Sequence, residues 1–91
     1  MYLFVVNEVS GNGRGKEVWA YVQKRLHELR VPYEVAYTDG PGHAEVIARE
    51  AQTEKTLKAI VAVGGDGTIN EVGNGVIGSD LPIGYIPAGT G

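Results

Sequence analysis

The feature that most constrains this chain is an alternation between two hydrophobic periods. Short apolar runs rich in β-branched residues trade places with segments whose apolar residues recur every three or four positions. "YLFVVN" (2–7) is the first such run and reads as a strand buried on both faces, as in parallel sheets. From Lys16 to Arg30 the period becomes helical. Val18, Val22, Leu26 and Leu29 fall on one face there, and Pro32 ends the segment. "YEVAYT" (33–38) alternates as a second strand, and "DGPG" (39–42) carries turn chemistry. A second helix is predicted from about His43 to Thr53, with Ala44, Ile47, Ala48 and Ala51 inward. "LKAIVAVG" (57–64) is a third strand, the most apolar of the set. Residues 68–78 form a third helical pattern, with Ile69, Val72, Val76 and Ile77 on one face. "PIGYIPAGTG" (82–91) supplies a fourth strand and the start of a glycine loop.

The order β-α-β-α-β-α-β has few solutions. Helical crossovers between strands imply a parallel sheet covered on both faces, so the predicted fold is a three-layer α/β/α domain. Ligands in such sheets bind beyond the carboxyl ends of the strands. The loops "NEVSGNGRG", "VGGDGTINE" and "PAGTG" and the turn after Thr38 should therefore share one rim. The chain has 91 residues, enough for one small domain, and ends at Gly91 where a loop has just begun. We expect it to be part of a longer protein.

The fourteen glycines cluster at segment ends rather than in a low-complexity tract, which argues against disorder. A net charge of -3 and the lack of a basic block disfavour nucleic acid as a partner, because phosphate-backbone binding needs clustered Lys and Arg. The chain has no cysteine, which excludes a disulfide framework and thiolate metal sites and suits a cytoplasmic setting. No segment is long enough to span a bilayer, so any membrane contact is expected to be peripheral.

The loop "VGGDGTINEV" (63–72) carries the chemistry. A strand enters it, glycines turn it, and a helix begins near Thr68. The orphan amides of that helix and its dipole favour an anion in the turn, and glycines let phosphate approach the backbone. Asp66 would repel a phosphate unless a divalent cation stood between them. Mg²⁺ bound by one carboxylate together with nucleotide phosphates resolves the conflict. A plainer account also exists: Thr68-x-x-Glu71 matches a capping box. That box explains Thr68 and Glu71, but neither Asp66 among Gly64, Gly65 and Gly67 nor Asn70.

"SGNGRGKE" (10–17) comes close to two phosphate-binding motifs and matches neither. Gly11 stands one position too close to Gly15-Lys16 for a Walker A loop, and Glu17 follows the lysine. Lys16 occupies the place of the third glycine in the dinucleotide fingerprint. A phosphate or ribose contact and an ordinary tight turn both remain compatible with this loop. His27 sits on the charged side of its helix and reads as solvated, as do Lys24, Arg25 and Arg30. His43 opens the second helix, to cap or pack there, and Trp19 reads as core or domain interface.

These motifs together resemble the catalytic domain of the diacylglycerol kinase-like lipid kinases, especially the bacterial branch. Asn7…Ser10-Gly11…Gly13…Gly15 is similar to that family's first loop, usually Asn-Pro-x-Ser-Gly, with Glu8 here in place of the proline. Thr38…Gly42-His43-Ala44 is similar to its second loop. Gly64-Gly65-Asp66-Gly67-Thr68-Ile69-Asn70-Glu71-Val72 is its central signature, intact. Pro87-Ala88-Gly89-Thr90-Gly91 is similar to its fourth, which normally continues with Asn-Asp beyond the end of this chain.

The resemblance implies a kinase of roughly 300 residues in two domains. Residues 1–91 would be the N-terminal nucleotide-binding part, with a fold like those of NAD kinases and phosphofructokinases. A β-rich second domain, absent here, would supply the lipid site and the glutamate that acts as general base. The cofactors implied are ATP and Mg²⁺. Asn7, Ser10, Gly11, Thr38, Gly65, Asp66, Gly67, Thr68, Ile69, Asn70, Glu71 and Thr90 would contact nucleotide, and Asp66 would hold Mg²⁺ through water. The acceptor would be a lipid hydroxyl such as that of diacylglycerol, met at the membrane surface by a cytoplasmic, peripherally associated enzyme, possible as a homodimer. Two other functional readings stand beside this one. An NAD kinase shares Gly-Gly-Asp-Gly-Thr but has its Asn-Glu pair far downstream, whereas Asn70-Glu71 follows directly here. A non-catalytic nucleotide-binding regulatory domain would use the same loops without a base. A purely structural α/β domain needs four coincidental loops on one rim.

Overall fold

A computed structural model describes residues 1–89. Four parallel strands, β1 (Tyr2–Val6), β2 (Tyr33–Tyr37), β3 (Ala59–Gly64) and β4 (Ile83–Pro87), form one sheet in the order β2-β1-β3-β4. Val5 pairs with Ala36 on one side and Ala62 on the other, and Ala62 pairs with Tyr85. The helices are α1 (Ser10–Glu28), α2 (His43–Ala51) and α3 (Asp66–Gly75). The predicted α/β class, element order and parallel sheet are all present.

The pleat divides the core. Val5, Ile60 and Ala62 point to one face and pack with Ala44, Ala48 and Ala51 of α2 and Val72 of α3. Phe4, Val6 and Val63 point to the other face and meet Trp19 of α1. Val5, Val6, Ile60, Val63 and Val72 are all fully buried, each stabilising the fold by about 1.5–3 kcal/mol. Trp19 is core: its ring lies 5.2 Å from Phe4 and 5.7 Å from Tyr33, and its Nε1–H donates to the Tyr37 hydroxyl at 2.9 Å. The indole thus buries its area and keeps its donor satisfied. On the opposite face, α2 and α3 approach closely at Gly75. A Cβ there would stand 2.5 Å from the Glu45 carbonyl oxygen and 2.6 Å from the Ala48 Cβ.

Some boundaries differ from expectation, each for a local reason. Helical bonding in α1 starts at Ser10 rather than Lys16. Gly11, Asn12 and Gly13 have φ of 60°, 58° and 99°, so a left-handed turn precedes the regular helix instead of a separate loop. Leu29, expected on the buried face, is 61% exposed. It is the C-cap, after which Arg30 turns left-handed at φ 56°. The Val31 amide then donates to the Leu26 carbonyl at 3.0 Å and the Arg30 amide to that of His27 at 3.2 Å, a Schellman ending. Ile77 is 73% exposed because α3 ends at Gly75 and Ile77 falls in the turn leading to Gly78 at φ 85°. His27 is exposed as expected, with its Nε2 2.8 Å from the Tyr33 hydroxyl.

Candidate functional site

Strand order places the site. The chain leaves β1 towards β2 on one side, and leaves β3 towards β4 on the other. The switch point lies between β1 and β3, where the crevice of an open α/β sheet forms. The loops after β1, β3 and β4 touch there. The Gly65 amide donates to Ser10 Oγ at 3.1 Å, and the Asn7 amide to the Val63 carbonyl at 2.9 Å. A Cβ on Gly11 would come within 2.7 Å of the Ala88 carbonyl oxygen. The loop after β2 joins through Thr38, whose amide donates to the Val6 carbonyl at 2.9 Å.

The glycine loop after β3 is not a capping box. Helix α3 begins at Asp66, two residues before the expected start, from Gly65 in extended conformation and with no side-chain cap. Thr68 lies inside the first turn, buried at 6% exposure beneath the loop, where a Cβ on Gly64 would meet its Oγ1 at 2.5 Å. Glu71 reaches away from its own helix and accepts the Gly42 amide at 2.9 Å, tying α3 to the start of α2. His43 does act at that helix start, its Nδ1 accepting the Asp39 amide at 2.9 Å. Helix α3 therefore offers uncapped amides at Asp66 and Gly67 to the rim.

Two clefts flank this turn. The larger, about 700 Å³, is lined by Ser10, Gly11, Arg14, Gly65, Asp66, Tyr85, Pro87 and Gly89. The smaller, about 410 Å³, is lined by Asn7, Val9, Thr38, Asp39, Gly40, Pro41, Ala44, Gly67, Thr68 and Glu71. The residues singled out from sequence thus divide between the clefts. Ser10, Gly11, Gly65 and Asp66 share one, while Asn7, Thr38, Gly67, Thr68 and Glu71 share the other. Ile69 and Asn70 line neither: Ile69 packs against the α2/α3 core and Asn70 is exposed. Thr90 lies outside the described residues.

Among residues not singled out, Arg14, Tyr85, Val9 and Pro41 also line these clefts. Pro41 was legible as part of "DGPG" after a strand, and Arg14 as a cation within the glycine loop. Tyr85 reads in sequence only as an alternating strand residue.

Among the described residues, no three His, Cys, Asp or Glu side chains gather as a metal cluster. Asp66 stands exposed and alone beside the uncapped amides. A single carboxylate next to a phosphate-type cradle fits hydrated Mg²⁺, which takes one or two protein carboxylates and completes its shell with phosphate oxygens and water. No described helix is long and apolar enough to cross a membrane.

An open parallel α/β sheet with a glycine turn, an uncapped helix and one acid at its switch point defines a class of domain suited to phosphorylated ligands. Comparison with known proteins narrows the class: residues 1–91 match the model of the diacylglycerol kinase catalytic domain, and the chain belongs to that family. It is 40% identical over 91 residues to a protein of Bacillus subtilis (strain 168) named "Putative lipid kinase YtlR", covering 97% of this chain but only 29% of that protein. It is 36% identical to sphingoid long-chain bases kinase 1 of Arabidopsis thaliana, across 97% of this chain and 13% of that one. A solved diacylglycerol kinase from Bacillus anthracis str. Sterne superposes with a TM-score of 0.80 at 26% identity, over 97% of this chain and 32% of that chain.

Proposed function

We propose that residues 1–91 form the ATP-binding part of a lipid kinase. The observation that carries this reading is the meeting of the β1 and β3 loops at the switch point, sealed by the Gly65 amide on Ser10 Oγ, beside an uncapped α3 and a lone exposed Asp66. Family membership supports the rest, since a kinase of this family implies ATP as donor. Val9, Pro41 and Ala44 give the smaller cleft apolar walls suited to a base, with Asn7 and Thr38 at hand for its polar edge or the ribose. The Gly65–Gly67 turn suits the phosphates. Asp66 would hold Mg²⁺ through water, and the bound ion would neutralise and orient phosphate oxygens.

Such a reaction depends on positioning and charge neutralisation. The γ-phosphoryl group forms a bond to the lipid hydroxyl oxygen as its bond to the bridging oxygen of ADP breaks. The bridging oxygen keeps the electron pair. The hydroxyl proton passes to a general base that the family resemblance places beyond Gly91. Acceptor choice among diacylglycerol, ceramide and sphingoid bases, and peripheral contact with the membrane, would belong to segments outside these residues.

The test uses the full-length protein with Mg²⁺ and radiolabelled ATP, offered mixed lipid micelles and NAD together. Label is expected in the lipid phase, and Asp66→Ala is expected to lower kcat by about a hundredfold or more with little change in unfolding midpoint. Label in NADP, or normal turnover by Asp66→Ala, would overturn the proposal. The isolated 91 residues are expected to phosphorylate no lipid.

A further inference from the structure

We infer that Arg14 is the cation that receives the terminal phosphate of the nucleotide. This deepens the reading above and rests on it. A phosphate cradle built only from backbone amides and one metal-held acid leaves the most highly charged end of ATP without a fixed positive side chain. Two basic residues stand near the loop after β1, and the fold chooses between them. Arg14 and Lys16 are two positions apart on α1, so they point to different sides of the helix. Both side chains are exposed, but Arg14 lines the larger cleft together with Asp66 and Gly65, whereas Lys16 lines neither cleft.

The backbone explains how Arg14 arrives there. The left-handed turn Gly11-Asn12-Gly13 carries the chain over the end of β4, and Arg14 is the first residue after it. Gly15, which follows, is pinned: a Cβ there would stand 2.0 Å from the Asn7 carbonyl oxygen. Arg14 is thus held between a fixed turn and a close backbone contact, at the wall of the larger cleft. Among the described residues, its guanidinium makes no ion pair and no side-chain hydrogen bond. The exposed Arg25 and Arg49, by contrast, are each paired with a glutamate on their own helix. A guanidinium fork matches phosphate oxygens in geometry as well as charge. Charge developing on a transferring phosphoryl group is stabilised by arginines so placed.

A terminal-phosphate ligand separates ATP from ADP. The experiment measures MgATP and MgADP affinity by calorimetry on the full-length protein, unsubstituted and as Arg14→Ala, Arg14→Lys and Lys16→Ala. Arg14→Ala is expected to weaken ATP binding by about ten- to a hundredfold while ADP affinity changes little, so that the preference for ATP collapses. Arg14→Lys should recover part of the loss, and Lys16→Ala should leave the ratio unchanged. Equal weakening of both nucleotides by Arg14→Ala, or an unchanged ratio, would overturn the assignment while leaving the nucleotide site in place. Absence of ADP and ATP binding to the unsubstituted protein would overturn the assignment together with the function it rests on.

Discussion

The glycine turns after β1 and β3 face each other across the switch point, and glycine serves a different purpose in each. In the first turn the backbone itself demands it. Gly11 and Gly13 have left-handed φ, and the space around Gly11 and Gly15 is already filled by the carbonyls of Ala88 and Asn7. In the second turn Gly65 is in ordinary extended conformation, and neither Gly65 nor Gly67 has a left-handed φ. Gly67 has nothing within 4 Å of the place where a Cβ would sit. Neither backbone shape nor packing accounts for Gly67. A helix start pays for glycine in stability, so an otherwise unneeded glycine on an open rim is best explained by something that approaches it. One turn is built of glycine to hold its shape, the other to leave room.

Substitutions can break this contrast. The largest effect on folding is expected at Gly15→Ala, where a methyl group meets a backbone carbonyl that cannot yield. The full-length protein should lose about 3 kcal/mol or more in a urea titration, and an unchanged midpoint would show that the first turn is not close-packed. Gly67→Ala should act the other way on stability, leaving it unchanged or raising it by about 0.5 kcal/mol. The same variant should weaken MgATP binding about tenfold, as read by calorimetry. Loss of stability without loss of binding would place both turns in one structural class. The smallest effect is expected at Glu71→Gln. The neutral amide still accepts from Gly42 but gives up a charge-assisted bond, at a cost below about 1 kcal/mol in the same titration. A cost of several kcal/mol would mean that the link between α3 and α2 holds the rim together more than either turn does.

Most of the rim could be read before the fold was known, and what was missed follows a rule. Asp66, Gly65, Ser10 and Asn7 were recognisable because each lies in a short loop that directly follows an apolar run. In a parallel sheet every such loop arrives at the same edge. Thr68 and Glu71 were legible as nucleotide contacts and, alternatively, as cap partners of each other, and the cap is what the structure does not form. Their partners lie elsewhere: Thr68 is buried under Gly64 at the end of β3, and the Glu71 carboxylate is taken by Gly42, 29 positions away. Leu29 and Ile77 follow the helical period yet are exposed, because each helix stops just before them. Periodicity carries a pattern past the residue at which backbone geometry ends it.

By itself, the amino-acid order determined the element sequence, the parallel sheet and the shared rim, because hydrophobic period and turn chemistry act between near neighbours. Tertiary structure alone decided the strand order β2-β1-β3-β4 and so the switch point between β1 and β3. It also decided that Arg14 rather than Lys16 lines the larger cleft, and that the chosen residues divide between two clefts. Those outcomes depend on contacts between residues far apart in the chain, whose energies exist only once the helices have packed on the sheet.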